Sequence, residues 1–97
     1  NIEALESMAE KHYYFADETY VREMKACEKN KTMKQYNQVT AAIKRVNQDY
    51  KTARDYFERL YKLNPDPRYA NFLGNIYTRF ENKEKANYYY RLAKKKP

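Results

Sequence analysis

Glycine, cysteine and histidine each occur once in the 97 residues, and tryptophan does not occur at all. Each shortage removes a class of function. One histidine and one cysteine cannot complete a four-ligand metal set, and a lone cysteine leaves no intramolecular disulfide framework. Cys27 therefore fits a reducing compartment such as the cytoplasm. Phosphate-cradling loops need several glycines, so that class is excluded too. No run approaches the roughly 18 consecutive apolar residues a membrane span requires, which predicts no membrane insertion. The chain begins at Asn1 without a methionine and shows no charged-then-apolar leader, as expected of an excised domain or a processed chain.

What is present is charge and tyrosine. Twenty Lys and Arg against thirteen Asp and Glu give a net charge of +7, with twelve tyrosines. Residues 1–32 carry five basic against seven acidic side chains, residues 33–66 seven against four, and residues 67–97 eight against two. The field therefore favours acidic partners towards the C-terminal half. Bases stack on aromatics beside positive grooves, so a nucleic-acid-binding helical domain using this basic half and its tyrosines is the alternative reading. The leading reading puts Tyr20, Tyr36, Tyr69, Tyr77 and Tyr90 on or beside packing stripes, where the ring fills space and the hydroxyl reaches an edge.

From Asn1 to Leu63 there is neither glycine nor proline, so turns must be read from capping residues. Ile2, Leu5, Met8, Ala9 and His12 recur at helical spacing, and Tyr20, Val21, Met24 and Cys27 do so again. Asp17 is a candidate N-cap between the two sets; an uninterrupted helix from about residue 3 to 29 is the other possibility. Asn30 and Lys31 mark the exit. Thr32-Met33-Lys34-Gln35 reads as a capping box that opens the next helix. That helix carries Tyr36, Val39, Thr40, Ile43 and Val46; Asn47 to Asp49 is expected to break it. Asp49 then caps a helix with Ala53, Phe57 and Leu60. Asn64-Pro65-Asp66-Pro67 stops one helix and starts another, with Asp66 as N-cap and Pro67 at the first position.

Gly74 lies inside a helical pattern, where a glycine costs about 1 kcal/mol against alanine. Close approach of another helix is the usual compensation. The spacing Ala70-x2-Leu73-Gly74-x2-Tyr77, followed by Ala86-x3-Tyr90-x2-Ala93, resembles the tetratricopeptide repeat. Ala70 stands where that family has tryptophan and Tyr90 where it has phenylalanine. The same pattern recurs upstream: Ala53, Phe57 and Leu60 precede Ala86, Tyr90 and Ala93 by 33 residues, and Tyr36, Val39, Thr40 and Ile43 precede Ala70, Leu73, Gly74 and Tyr77 by 34.

The resemblance implies an all-α fold, a short superhelix of about three stacked helical hairpins spanning 1–32, 33–66 and 67–97, in one domain that could be a piece of a longer array. It also implies a non-catalytic scaffold or adaptor that binds a partner protein without a cofactor. In this family the first helix of each hairpin lines a concave groove. Carried onto this chain, the groove holds Lys34, Asn37, Ala41, Lys44 and Arg45 in the second hairpin and Arg68, Asn71, Asn75, Thr78 and Arg79 in the third. These are mostly basic or amide side chains with no carboxylate among them, which suits an acidic peptide or helix. The subclass that grips a C-terminal carboxylate needs asparagine and arginine where this chain has Gln38 and Phe72, so that clamp is not expected. The outer side of the last helix, with Tyr88, Tyr89 and Leu92, is a candidate for self-association. His12 follows Ala9 on an apolar stripe without a recognisable catalytic partner, so it is expected to pack at the core edge and the chain is not expected to be an enzyme.

Overall fold

The computed structural model describes residues 1–95. Four helices follow one another: α1 (Ile2–Lys29), α2 (Met33–Leu63), α3 (Pro67–Arg79) and α4 (Lys83–Lys94), with no strand among the described residues. The fold is all-α, built from helical hairpins that pack on one another. The turn signals in the sequence mark most of the ends. Thr32 accepts from the Gln35 amide and Asp66 from the Arg68 amide, each satisfying a donor the helix leaves open. Pro67 sits in the first turn of α3.

The hairpins are two, of unequal length, where three are expected from the sequence. Neither Asp17 nor Asn47 to Asp49 interrupts its helix. The buried side chains explain why. Val39, Ala42, Val46, Tyr50, Ala53, Phe57 and Leu60 follow at intervals of three and four through the expected break, so one continuous stripe faces inward. A turn at residue 48 would reset that phase and expose half the stripe. Asn, Gln and Asp cost at most about 0.7 kcal/mol each in a helix interior, too little to oppose that burial. On α1 the stripe runs Ala9, Tyr13, Ala16 and Thr19. Five residues expected on the packing stripes, Ile2, Met8, Val21, Tyr36 and Thr40, are exposed instead.

The long axis of the molecule, 48 Å, is the length of α2, since 31 residues at 1.5 Å each span roughly 46 Å. α3 and α4 have only 13 and 12 residues. They stack against the half of the α1–α2 hairpin nearest the chain's N-terminus, where Phe57 lies flat on Phe72 at 4.6 Å and Tyr13 meets Phe72 edge-on at 4.8 Å. The other end of the hairpin, roughly 14 Å along α1 from Tyr20 to Lys29 and roughly 25 Å along α2 from Tyr50 to Met33, extends beyond α3 and α4.

Gly74 is buried, and the ring of Tyr90 from α4 lies directly against it. This is the close approach that the lone glycine implies. α3 ends in a Schellman turn: the Asn82 amide donates to the Tyr77 carbonyl and the Glu81 amide to that of Thr78. Glu81 occupies the left-handed position of this turn at φ 59°.

Candidate functional site

α3 presents two stripes. Tyr69, Ala70, Leu73, Ile76 and Tyr77 are buried. Arg68, Asn71, Asn75 and Thr78, spaced three and four apart, lie on the other side. α4 answers with Asn87, Tyr90, Arg91 and Lys94. Between them runs a valley of about 670 Å³ lined by Pro67, Arg68, Asn71, Asn87, Tyr90, Arg91, Ala93 and Lys94. Its floor is the Tyr90 ring and the small Ala93. Its rim holds three cations and two amides with no carboxylate.

Arg68 is the anchored member of that rim. It donates to Asp66 at 2.9 Å and reaches Glu6 of α1 at 3.3 Å. The Arg68 guanidinium and the backbone amide that Asp66 caps together hold the Asp66 carboxyl below its ordinary range. Asn71, Asn87, Arg91 and Lys94 make no side-chain hydrogen bond or ion pair among the described residues. Their donors and acceptors are directed to solvent.

A second, smaller recess of about 250 Å³ adjoins the valley and is lined by Tyr13, Asp17, Asn75, Thr78, Arg79 and Tyr90. Here the polar groups bond one another. The Asn75 amide donates to the Tyr13 hydroxyl at 3.2 Å while its oxygen accepts from the Tyr90 hydroxyl at 2.6 Å. Asn75 thus ties α1 to α4 through α3. Thr78 donates to the Gly74 carbonyl at 2.8 Å. Arg79 donates to the Tyr50 hydroxyl and to Asp17, both at 3.2 Å, and its guanidinium lies 4.2 Å from the centre of the Tyr20 ring. Burial pulls the Arg79 pKa down, but the hydrogen bonds to Tyr50 and Asp17 outweigh it, so the guanidinium is held charged. Burial pushes the Tyr13 and Tyr50 phenols up. Asn75 and Arg79 therefore clasp the helices together, a role the groove reading does not assign them.

Lys34, Asn37, Lys44 and Arg45 are all exposed on α2, but they point away from the Val39–Ala42–Val46 stripe and lie along the half that α3 does not reach. The structure does not bring them into one groove with the α3 residues. The 49–63 half of α2 packs directly against α3, and α1 reaches α3 through the side chains of Glu6, Tyr13 and Asp17. This follows from α2 being continuous: residues 33–46 prolong the helix of residues 49–63 and do not fold back beside it.

Asn87, Arg91 and Lys94 escape a reading confined to first helices. A signal for them exists in the 33-residue offset. It sets Asn87, Tyr90, Arg91 and Lys94 against Arg54, Phe57, Glu58 and Tyr61 of α2. The α2 set lies under the second hairpin: Phe57 is buried against Phe72, and Glu58 accepts from the hydroxyls of Tyr77 and Tyr89. On α4 the matching positions carry basic and amide groups and open to solvent. Tyr89, expected on the outer side of the last helix, instead stacks on Tyr77 at 5.7 Å, whereas Tyr88 is exposed.

His12 sits at the core edge as expected, its Nδ1 3.0 Å from Asp49 and its ring stacked on Tyr56. No hydroxyl or thiol nucleophile bonds to this pair among the described residues, so what the pair does here is link α1 to α2. No group of three or more His, Cys, Asp or Glu is placed to hold a metal ion among the described residues, and no helix described is long and apolar enough to cross a membrane. Comparison with protein-family models, curated proteins and solved structures found no match in any of the three.

Proposed function

We propose that the chain is a non-catalytic interaction module of the tetratricopeptide type, and that its binding surface is the basic valley between α3 and α4. One observation carries this reading. Asn71, Asn87, Arg91 and Lys94 converge on the valley with no partner inside the described chain, and the three from α4 stand 33 residues after the α2 positions that receive the second hairpin. The occupant is an acidic peptide or helix from a partner protein. Arginine supplies a fork of donors for carboxylates, and the two amides supply both a donor and an acceptor for backbone. The tetratricopeptide assignment draws further support from the Gly74–Tyr90 approach and from the two hairpins packed face to face. Rigid helices present these groups at fixed spacing, so the segment that binds bears most of the ordering cost.

The test is affinity capture from the source cell's lysate with nuclease present and absent, using the wild-type chain and an Arg91→Glu/Lys94→Glu variant. Retention of a protein by the wild type and its loss in the variant is the expected result. Capture of nucleic acid alone would reject the reading in favour of the +7 charge acting as a polyanion sink.

A further inference from the structure

The face that carries the valley continues across α3 to α1, and its two walls bear opposite charge. On α1 the residues at three- and four-residue spacing are Glu3, Glu6, Glu10, Tyr13 and Asp17, four carboxylates with no cation among them. Three of these side chains are tied to α3, which fixes the direction of the stripe. Glu6 accepts from Tyr69 at 2.9 Å, Tyr13 from Asn75 at 3.2 Å, and Asp17 from Arg79 at 3.2 Å. The half-buried Glu10 stands among them, four residues after Glu6 and three before Tyr13, and the exposed Glu3 lies one turn before Glu6. Neither makes a hydrogen bond or ion pair among the described residues. On the opposite wall, α4 carries the equally unpaired Arg91 and Lys94. The floor between the walls is continuous, because the smaller recess reaches from Tyr13 and Asp17 of α1 over Asn75 and Thr78 to Tyr90 of α4.

These features select the form of the ligand. A helix closes its own backbone hydrogen bonds and offers an amide nothing except at its ends. An extended segment lying edge-down leaves backbone N–H and C=O groups for Asn71 and Asn87, each of which has a free donor and acceptor. Its side chains then alternate between left and right, because a strand has a period of two. Those of one parity reach α4 and those of the other reach α1. Against walls of opposite sign, that alternation becomes a charge requirement. α3 has 13 residues and so offers roughly 20 Å of floor, enough for about six extended residues at roughly 3.3 Å each.

We infer that the ligand of this face is an extended segment of alternating charge, with acidic side chains toward Arg91 and Lys94 and basic ones toward Glu3 and Glu10. The inference rests on the valley as the binding surface and narrows its acidic peptide to one whose acidic residues alternate with basic ones. A uniformly acidic segment gains at α4 but sets every second carboxylate against the α1 wall, which selects against it.

The test uses three capped hexapeptides: Glu-Lys-Glu-Lys-Glu-Lys, Glu-Glu-Glu-Lys-Lys-Lys and hexaglutamate. The first two share composition and net charge, so they differ only in pattern. Each is followed by amide chemical-shift titration of the full chain, as wild type, Arg91→Glu/Lys94→Glu, Glu3→Lys/Glu10→Lys and the variant with all four reversals. Circular dichroism verifies that each variant folds. The alternating peptide is expected to bind about fivefold more tightly than the other two and to weaken about fivefold with either double variant, the size expected of two exposed ion pairs. All four reversals together should restore its binding, because a one-residue slip re-matches both walls. Equal binding of the alternating and blocked peptides would overturn this inference. Hexaglutamate binding most tightly, abolished by Arg91→Glu/Lys94→Glu and untouched by Glu3→Lys/Glu10→Lys, would also overturn it while leaving the valley reading intact. Binding of no peptide, or binding indifferent to Arg91→Glu/Lys94→Glu, would overturn both. A dimer of the chain broken by either double variant would show that the two walls meet each other across copies, and would overturn the inference as well.

Discussion

The Tyr90 ring occupies the space that a side chain at position 74 would need: a Cβ placed on Gly74 would lie 2.5 Å from two carbons of that ring. The ring is not free to swing away, because its hydroxyl donates to Asn75 at 2.6 Å. Gly74→Ala gains up to about 1 kcal/mol of helix propensity, but overpacking of a held ring costs about 1–3 kcal/mol. We expect a net loss of about 1–2 kcal/mol in urea unfolding. Gly74→Ala in a Tyr90→Leu background should cost less than in the wild type. A stabilised single variant would show that the ring yields.

Gln48 is an exposed residue within α2, at the place where the sequence suggests a helix start. Proline is well tolerated in the first turn of a helix but costs about 3 kcal/mol or more in an interior. Gln48→Pro should therefore unfold the chain at markedly lower urea and reduce its helical signal. A neutral result would mean that α2 is two helices.

Among the inner-stripe residues, Ala70, Leu73, Gly74, Tyr77, Ala53, Phe57 and Leu60 are readable from spacing and are buried in the structure. The capping residues Thr32 and Asp66 are equally legible because their chemistry is local. Asn47 to Asp49 misleads because capping residues state only what a helix end would tolerate, whereas the unbroken phase from Val46 to Tyr50 records what tertiary burial demands. A groove containing Lys34, Asn37, Lys44 and Arg45 requires that break, so their separation from α3 follows from its absence. Asn75 and Arg79 illustrate the other gap. Nothing in their spacing tells that Tyr13, Tyr50 and Asp17, some 30 to 60 residues away, consume their donors.

Alkali should unfold this protein over a defined window. Burial, with the Glu58 carboxylate as hydrogen-bond partner, pushes the Tyr77 phenol up to about 12, and burial raises Tyr50 and Tyr89 as well. A phenol whose folded pKa exceeds the unfolded value near 10 keeps its proton longer when folded. Its contribution is thus complete below pH ~10 and is lost as pH rises from ~10 through ~12. Circular dichroism from pH 8 to 12 should follow this loss, and Tyr77→Phe should make it shallower. Coincident titration of all tyrosines near pH 10 with the helix intact would contradict it.

Glu81 holds a left-handed backbone that costs an L-residue about 1–2 kcal/mol. Glycine adopts it freely, though it loses more chain entropy on folding. Glu81→Gly should raise the thermal midpoint, by about 0.5–1 kcal/mol of stability, without altering the helical signal. A lowered midpoint would reveal that the Glu81 carboxylate contributes more than the turn geometry costs.

The inequality of the two hairpins grades stability along the molecule. At the covered end α2 and α3 each pack against two helices; at the other, α1 and α2 have only each other. Amide hydrogens from about residue 22 to 44 should consequently exchange by a local opening well below the free energy of global unfolding, with those of Phe57 and Leu73 released only in the latter. The hairpin then behaves as a lever whose root is fixed and whose far end is soft, and whatever binds there also sets how stiff it is.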